Sequence, residues 1–318
     1  MTAAPNCLTV VVVTYDSADV LPGFLDSLEK ATSSQLDVIV SDNGSTDRLV
    51  EAIGDRSFVT VLSNGENLGY GRAVNAGVAK ASGEFVLIAN PDLCLAPGAV
   101  DELFNASERW RAAASLGPLI LTVEGKVYPS ARRLPSLRNG IGHALLGWIW
   151  PSNPWTAEYR REVGAIAERP VEWLSGSCLL IRRAAFDAVG GFDPSYFMYF
   201  EDTDLGERFG RAGWDNVYVP SATAVHLGGH STSRNRAAMI TEHHRSAYKY
   251  LSRRYSGWRL WPLRVVLRVG LGARSTVARR VSAVAAGAEP QRPVESVEQI
   301  EAVLVAPGYG GLTVAEPQ

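Results

Sequence analysis

The stretch LTVVVVTYDSADVLPGFLDSLEK, residues 8–30, opens with a β-branched apolar run and continues with Leu21, Phe24, Leu25 and Leu28 at helical spacing. That change of period predicts a strand, Leu8 to Thr14, followed by an amphipathic helix. The pattern recurs outward from it. Val38 to Ser41 reads as a second strand with a helix from about Asp47, Val59 to Leu62 as a third strand with a helix from Arg72 to Ala81, and Phe85 to Asn90 as a fourth strand. Strands and helices alternating in this way predict βαβ units, hence an α/β, Rossmann-like architecture with a mainly parallel sheet flanked by helices.

In open sheets of this kind ligands bind beyond the carboxyl ends of the strands. Three segments fall there: Thr14-Tyr15, Asp42-Asn43-Gly44-Ser45 and Asn90-Pro91-Asp92. The second is turn chemistry with Ser45 or Thr46 able to cap a helix, and it is also where Asp42 can accept the imide N–H of a pyrimidine base. The run from Asn67 to Asn75, NLGYGRAVN, has the look of a phosphate loop. However, Val74 stands where the dinucleotide fingerprint needs its third glycine, and the run follows the third strand instead of the first, so nicotinamide and flavin binding are rejected. Arg72 and the helix N-terminus there either meet a diphosphate or belong to a plain connecting loop. Asp92, after four apolar residues and a short turn, needs a cation or ligand beside it if it is buried.

Beyond Gly117 the alternation weakens into Pro-, Gly-, Trp- and Arg-rich sequence such as YPSARRLPSLRNG and WPSNPWTAEYR, suited to recognition by loops and aromatic surfaces. The densest signal is YFMYFEDTDL, residues 196–205, where Glu201, Asp202 and Asp204 follow an aromatic run. It reads either as a solvated helix start or as a general base beside an aromatic acceptor platform. His226 lies past the strand-like Val217 to Pro220, with His230-Ser231-Thr232 after it; an imidazole there could complete a metal site with Asp92.

Length and composition set the outer bounds. With 318 residues, 46% hydrophobic and 20% charged, the chain has the composition of a globular protein of one large or two modest domains. Cys7, Cys94 and Cys178 form no Cys-x-x-Cys pair and signal neither a disulfide framework nor a zinc site. The N-terminal apolar run lacks a basic stretch ahead of it, and no run of about 18 apolar residues occurs, so neither a secretory signal nor a spanning helix is expected. The net charge of −2 is a cancellation: residues 243–283 hold ten Lys or Arg and no Asp or Glu, while residues 1–242 hold 20 basic and 28 acidic groups and residues 284–318 one Arg and five Glu. Within the basic segment, Leu260, Leu263, Leu267 and Leu271 follow helical spacing, Arg264 and Arg268 lie four apart, and Pro262 fits a first helical turn. This is either a basic amphipathic segment lying on an anionic membrane surface or a helix packed on the main body. The acidic tail after it reads as poorly ordered. Nothing outside the basic segment supports nucleic-acid binding.

Taken in order, VVVTYDS, SDNGSTD, ENLGYGRAVNAG, LIANPD, WLSGSCLLIRRAAFDAVGGFD and YFMYFEDTDLGERFGRAGW resemble the motifs of the inverting family-two glycosyltransferases of GT-A fold, from about Leu8 to His230. The second half is most similar to rhamnose-transferring members that act on polyprenyl-diphospho-GlcNAc. The resemblance implies a nucleotide-sugar-binding half (1–118) and an acceptor-binding half carrying the base (119–242), to which the charge pattern adds basic membrane-associating helices (243–283) and the acidic tail (284–318). It implies dTDP-β-L-rhamnose as donor and transfer with inversion to the 3-hydroxyl of GlcNAc. Carried onto this sequence, Asp202 is the expected base with Glu201 beside it. Thr14, Tyr15, Asp42, Asn43, Asn67, Gly69, Arg72 and Asn90 line the donor nucleotide. Asp92 and His226 hold Mg²⁺ or Mn²⁺, and Arg132, Arg133, Trp173, Gly176 and Tyr199 meet the acceptor. The expected place of work is the cytoplasm, peripheral on the inner face of the plasma membrane. Asn90 departs from the family's Asp-x-Asp motif at its first position, and no Gln-x-x-Arg-Trp segment of processive members is present. The same motifs fit two other readings: a GT-A transferase with another nucleotide sugar and acceptor, or an idle nucleotide-sugar-binding assembly factor.

Overall fold

A computed structural model describes residues 7–135, 166–228 and 236–285. The segment WPSNPWTAEYR, the His230-Ser231-Thr232 run and the tail from 286 onward lie outside the described residues. The expected strands and helices of the first ninety residues are present: β1 (Cys7–Thr14), α1 (Leu21–Ala31), β2 (Gln35–Asp42), α2 (Leu49–Ile53), β3 (Val59–Ser63), α3 (Tyr70–Val78) and β4 (Phe85–Ala89). They continue through β5 (Leu93–Leu95), α4 (Ala99–Arg109), β6 (Ala113–Thr122), β7 (Val127–Tyr128), β8 (Ala131–Arg132), β9 (Arg169–Val171), β10 (Trp173–Leu174) and β11 (Cys178–Arg182). The last elements are α5 (Arg183–Ala188), α6 (Glu201–Arg211), β12 (Asp215–His226), α7 (Arg236–Arg254), a single 3₁₀ turn (Trp258–Leu260) and α8 (Trp261–Ala285).

The main sheet has the order β3-β2-β1-β4-β11-β6-β12-β5, with β7 on β6 and β9 on β12. β1 to β4 are parallel, as is the β6–β12 pair. β11 enters between β4 and β6 and runs antiparallel to both. The sheet is therefore mixed, parallel over β1 to β4.

Register aligns the carboxyl ends. Thr14 stands opposite Asp42, Asp42 opposite Ser63, and Val12 opposite Ala89, so the residues that follow β1, β2 and β4 share one edge. Apolar side chains fill both faces of the sheet. On one face Leu21, Phe24, Leu25 and Leu28 of α1 are almost fully buried with Val100 and Leu103 of α4; on the other lie Val74, Phe186, Phe192, Leu205 and Phe209. Each such side chain contributes roughly 1.5–3 kcal/mol by burial, which is how an α/β sandwich holds a polar edge in place.

The C-terminal helices form a hairpin in which α8 packs on α7. Arg264 closes its turn by donating from Nη1 to the carbonyls of Tyr255 (3.0 Å) and Gly257 (2.9 Å). Of the expected leucine stripe, Leu260 is exposed. Leu263, Leu267 and Leu271 are half-buried on the side of α8 that carries buried Ser275, whereas Trp258, Trp261, Val265, Val266, Val269 and Val277 are exposed. A helix that must satisfy a neighbouring helix first spends its leucines there, and the outward apolar face falls to the residues between them. Among the described residues no helix is long and apolar enough to cross a membrane.

Candidate active site

The strand-end edge where donor residues are expected is built on Asp42. Its Oδ1 accepts from Thr14 Oγ1 at 2.9 Å and from the Ser45 hydroxyl, and its Oδ2 accepts from the Ser45 N–H at 3.1 Å. The Asn43 N–H donates to the Thr14 carbonyl (2.9 Å), and Asn43 Nδ2 donates to the Gly69 carbonyl (3.3 Å). Asn67 turns its Oδ1 back to accept from the Gly69 N–H at 3.0 Å. Six of the eight expected donor residues, Thr14, Tyr15, Asp42, Asn43, Asn67 and Gly69, thus lie on or beside one bonded set of loops, with Tyr15 exposed at the rim. Arg72 is different: it is exposed, and its Nε donates to the Pro194 carbonyl at 2.9 Å, which puts it at the joint between α3 and the segment before the acids.

Asn90 connects the two halves. Its N–H donates to the Ser177 carbonyl (2.8 Å), and in the same turn the Gly176 N–H donates to Asp202 Oδ2 (3.0 Å) while the Gly176 carbonyl accepts from the Tyr70 hydroxyl. The Asp202 carboxylate is held on its other side by the Thr203 N–H, 2.7 Å from Oδ1. Asp202 sits in the first turn of α6, where its carboxylate faces the helix N-terminus. Even so, burial raises its pKa, with the two N–H donors and the Arg132 charge pulling the other way. Glu201 is buried, and its Oε2 has no hydrogen-bond partner. Burial and the neighbouring Asp202 charge push its pKa up as well. A buried pair of this kind is suited to proton acceptance, because burial moves a carboxylate toward the pH at which it works.

The backbone that delivers this pair is strained. Tyr199 (φ +67°) and Phe200 (φ +65°) are consecutive left-handed residues, a conformation costing roughly 1–2 kcal/mol per side-chain-bearing residue. The surrounding contacts hold it. The Ser246 hydroxyl donates to the Met198 carbonyl (2.9 Å), His243 meets the rings of Tyr199 and Phe200 edge-on at 5.3 and 5.5 Å, and Tyr250 meets Phe200 at 5.7 Å. Lys249 donates to the Ser195 carbonyl, Arg253 pairs with Asp193, and Arg254 pairs with Glu207. The basic helix α7 therefore grips the acid-bearing segment. Its net charge and aromatic content pointed to a surface element, and no spacing rule marks a side chain that supports a loop forty residues upstream.

Asp92 and His226 come together where β5 pairs with the end of β12, with His226 opposite Leu93. The His226 Nε2 to Asp92 Oδ1 distance is 3.1 Å, both side chains are largely buried, and the Tyr128 ring stands edge-on to the imidazole at 5.5 Å. Burial works to lower the His226 pKa, but the Asp92 carboxylate outweighs it and the net shift is upward. Among the described residues no group of three or more His, Cys, Asp or Glu side chains surrounds a common point. One carboxylate and one imidazole nevertheless fit a hard divalent cation that takes its remaining ligands from a diphosphate and water.

Of the residues expected to meet an acceptor, Gly176 is beside Asp202 and Tyr199 precedes the acids. Trp173 is buried as a packing anchor, its indole N–H donating to the Arg133 carbonyl (2.9 Å) and its Cβ closing on Gly206. Arg132 lies over the Trp173 ring at 5.5 Å, while Arg133 is exposed. Tyr70, Ser177 and Tyr128 were not among the expected residues. Their parts depend on contacts across the sheet edge that no local motif carries.

Residues 9–190 match the family model described as glycosyl transferase family 2, and residues 154–249 match one described as glycosyltransferase like family 2. An N-acetylglucosaminyl-diphospho-decaprenol L-rhamnosyltransferase of Mycobacterium tuberculosis (strain ATCC 25618 / H37Rv) is 50% identical over 289 residues, 87% of this chain and 94% of that one. Rhamnosyltransferase WbbL of Escherichia coli (strain K12) is 28% identical over 253 residues, 77% of this chain and 92% of that one. In fold, the chain is similar to the mannosyltransferase PcManGT from Pyrobaculum calidifontis, solved with GDP-Man and Mn²⁺, with a TM-score of 0.54 and 17% identity over 91% of this chain and 77% of that one. It is similar also to GalNAc-T7, solved with UDP, GalNAc and Mn²⁺, with a TM-score of 0.52 and 16% identity over 70% of this chain and 43% of that one.

Proposed function

Because the chain belongs to glycosyl transferase family 2, we propose that it is an inverting rhamnosyltransferase moving L-rhamnose from dTDP-β-L-rhamnose to the 3-hydroxyl of GlcNAc in N-acetylglucosaminyl-diphospho-decaprenol. The observation that carries this reading is the 50% identity to a rhamnosyltransferase of that name over nearly the whole of both chains. The Asp202 environment supports it. In this reading residues 1–118 bind the nucleotide sugar, residues 119–242 bind the acceptor and carry the base, residues 243–283 associate with the membrane, and the protein works at the inner membrane face where a lipid-linked acceptor is presented.

Asp202 takes the proton of the acceptor 3-hydroxyl as that oxygen attacks the anomeric carbon, and dTDP leaves from the opposite face. Glu201 positions the acceptor. Thr14, Tyr15, Asp42, Asn43 and Asn67 hold the nucleoside, Asp42 through the imide of thymine. Gly69 keeps the adjoining loop close, and Asn90 spaces the donor from the base through Ser177. Asp92 and His226 would hold Mg²⁺ or Mn²⁺, which would supply positive charge toward the diphosphate when bound. Trp173 and Arg133 shape the acceptor wall, and Tyr199 contributes an aromatic platform.

The deciding experiment incubates the protein with dTDP-β-L-rhamnose and a short-chain GlcNAc-diphospho-lipid. An α-rhamnosyl group on O3 is the expected product; preference for another nucleotide sugar, or no transfer, overturns the assignment. Chelation is expected to stop turnover, with Mg²⁺ or Mn²⁺ restoring it. Asp92→Asn is expected to raise the half-maximal metal concentration by about 10–100-fold, and an unchanged metal titration would remove Asp92 from that role.

The exposed face formed by Trp258 of the 3₁₀ turn with Trp261, Val265, Val266 and Val269 of α8, with arginines and no acidic residue along the helix, is the surface proposed to meet anionic lipid. Trp258→Ser with Trp261→Ser is expected to weaken flotation with anionic vesicles by about tenfold or more. Unchanged flotation would mean that this face is not the contact.

A further inference from the structure

We propose that Tyr70 is a positioning residue for Asp202, its hydroxyl fixing the turn at Gly176 whose N–H holds the Asp202 carboxylate. That role rests on Asp202 being the base, as proposed above; the contact stands on its own geometry.

The donors to Asp202 are of two kinds. The Thr203 N–H (2.7 Å) and hydroxyl (3.3 Å) meet Oδ1 from the same helical turn, and the Gly176 N–H meets Oδ2 at 3.0 Å. Thr203 moves with α6 wherever that helix goes. Among the described residues, Gly176 is therefore the hydrogen-bond donor that registers the carboxylate against the rest of the protein.

The backbone at Gly176 needs a tie. On one side the Ser175 N–H donates to the Ser130 carbonyl (2.7 Å), and on the other the Ser177 carbonyl accepts from the Asn90 N–H (2.8 Å). Between these anchors stands a glycine, the residue with the widest choice of backbone angles. Gly176 is buried, and its carbonyl accepts from the Tyr70 hydroxyl. A Cβ at Gly176 would lie 3.3 Å from Tyr70 Cε1 and 3.5 Å from Asp202 Cβ, so the phenol ring and the acid both close on this glycine.

Tyr70 is itself firmly held. As the first residue of α3 it donates its N–H to the Phe197 carbonyl (2.9 Å), and its ring meets Phe192 edge-on at 6.1 Å. Phe192 is locked in turn by reciprocal bonds with the Asn75 amide, at 2.8 and 2.9 Å. Burial and the charges of Glu201 and Asp202 keep the Tyr70 pKa well above the ordinary tyrosine value, so its hydroxyl stays a donor at every working pH. The titratable and charged groups that face Asp202 are Glu201 on α6, Tyr70 on α3, Tyr128 on β7 and Arg132 on β8. Tyr70→Phe takes away a neutral hydroxyl and leaves each of those charges as it was.

That variant keeps the ring and removes the tie. With dTDP-β-L-rhamnose and a short-chain GlcNAc-diphospho-lipid, kcat is expected to fall about 10–100-fold, while dTDP affinity and Tm stay near wild type. An N–H donated to a carboxylate favours its charged form, so loosening Gly176 raises the Asp202 pKa and moves the acid limb of the rate to higher pH. NMR titration of isotope-labelled Asp carboxyls, with Asp202 assigned through Asp202→Asn, reads the same upward shift without any substrate. In an Asp202→Asn background, adding Tyr70→Phe is expected to cost little more, because the two act as one unit. Unchanged kcat, an unmoved Asp202 titration or an equal fold loss in both backgrounds overturns the positioning role. So does a kcat loss accompanied by a matching fall in Tm and dTDP affinity. An Asp202 titration that shifts in Tyr70→Phe, in a protein whose wild type transfers no rhamnose, leaves this contact standing and overturns the proposed reaction instead.

Discussion

Asp202→Asn is expected to lower kcat by about 10²–10⁴-fold, the usual cost of removing a general base, while dTDP binds with nearly unchanged affinity. The geometry explains why the two effects separate. Asp202 touches the Gly176 and Thr203 N–H groups, whereas the loops proposed to hold the nucleotide are bonded around Asp42 and Gly69. Asn can still accept one of the two N–H bonds, so the turn at Gly176 is retained. The pH profile gives a second readout. Burial raises the Asp202 pKa above the ordinary carboxylate value, and a base acts only when deprotonated, so the wild-type rate falls as pH drops through that raised value. In Asp202→Asn this acid limb disappears. Normal turnover in the variant, or an acid limb that persists in it, would move the role elsewhere.

Gly69→Ala is the second large effect, and it acts through the backbone. Gly69 has φ +85° and ψ 169°, a region open essentially to glycine alone. A Cβ there would lie 2.2 Å from the Phe197 carbonyl oxygen and 2.9 Å from Phe197 Cα. The neighbouring Tyr70 N–H donates to that same carbonyl at 2.9 Å. The clash cannot be relieved by a side-chain rotation, because backbone faces backbone. Strain and overpacking together are expected to cost roughly 3–5 kcal/mol, a fall in Tm of about 8–15 °C, with loss of turnover as the donor loop and the acid segment part. Gly65→Ala separates strain from clash: Gly65 also has positive φ (+75°), but nothing lies within 4 Å of its Cβ position. A Gly69→Ala protein melting with the wild type would show that the two segments are not in contact.

Much of this architecture was legible in local sequence. The valine run of β1, the apolar positions of α1 and the Asp42 and Asn90 turns obey rules of period and turn chemistry that act over a few residues, and the structure places them at the predicted strand ends. The antiparallel course of β11 was not legible, because a buried run such as CLLIR has the same composition in either direction. The acid pair stood out as a composition anomaly, but its strained approach through Tyr199 and Phe200 did not; ordinary side chains show no preference for that conformation, and only packing from α7 selects it. Charge counts in the basic segment hid a division of labour. Arg253 and Arg254 are tied to Asp193 and Glu207, and the leucines of α8 serve the hairpin while its tryptophans face outward.

The position of β11 also bears on how the chain reaches its native state. Cys178 pairs with Ala89 on one side, and Leu180 pairs with Leu116 on the other, so a strand made late in synthesis must enter between two made early. Until it does, β4 and β6 present open hydrogen-bonding edges. Pairings of such long sequence separation form slowly, and open edges invite association between chains. The turn at Gly176 and Ser177, which joins Asn90 to Asp202, directly precedes β11 and cannot close before it. The Asn90 and Asp202 segments should therefore be joined in a single late step of refolding, and chains stalled before that step should aggregate at high concentration with the two segments still apart.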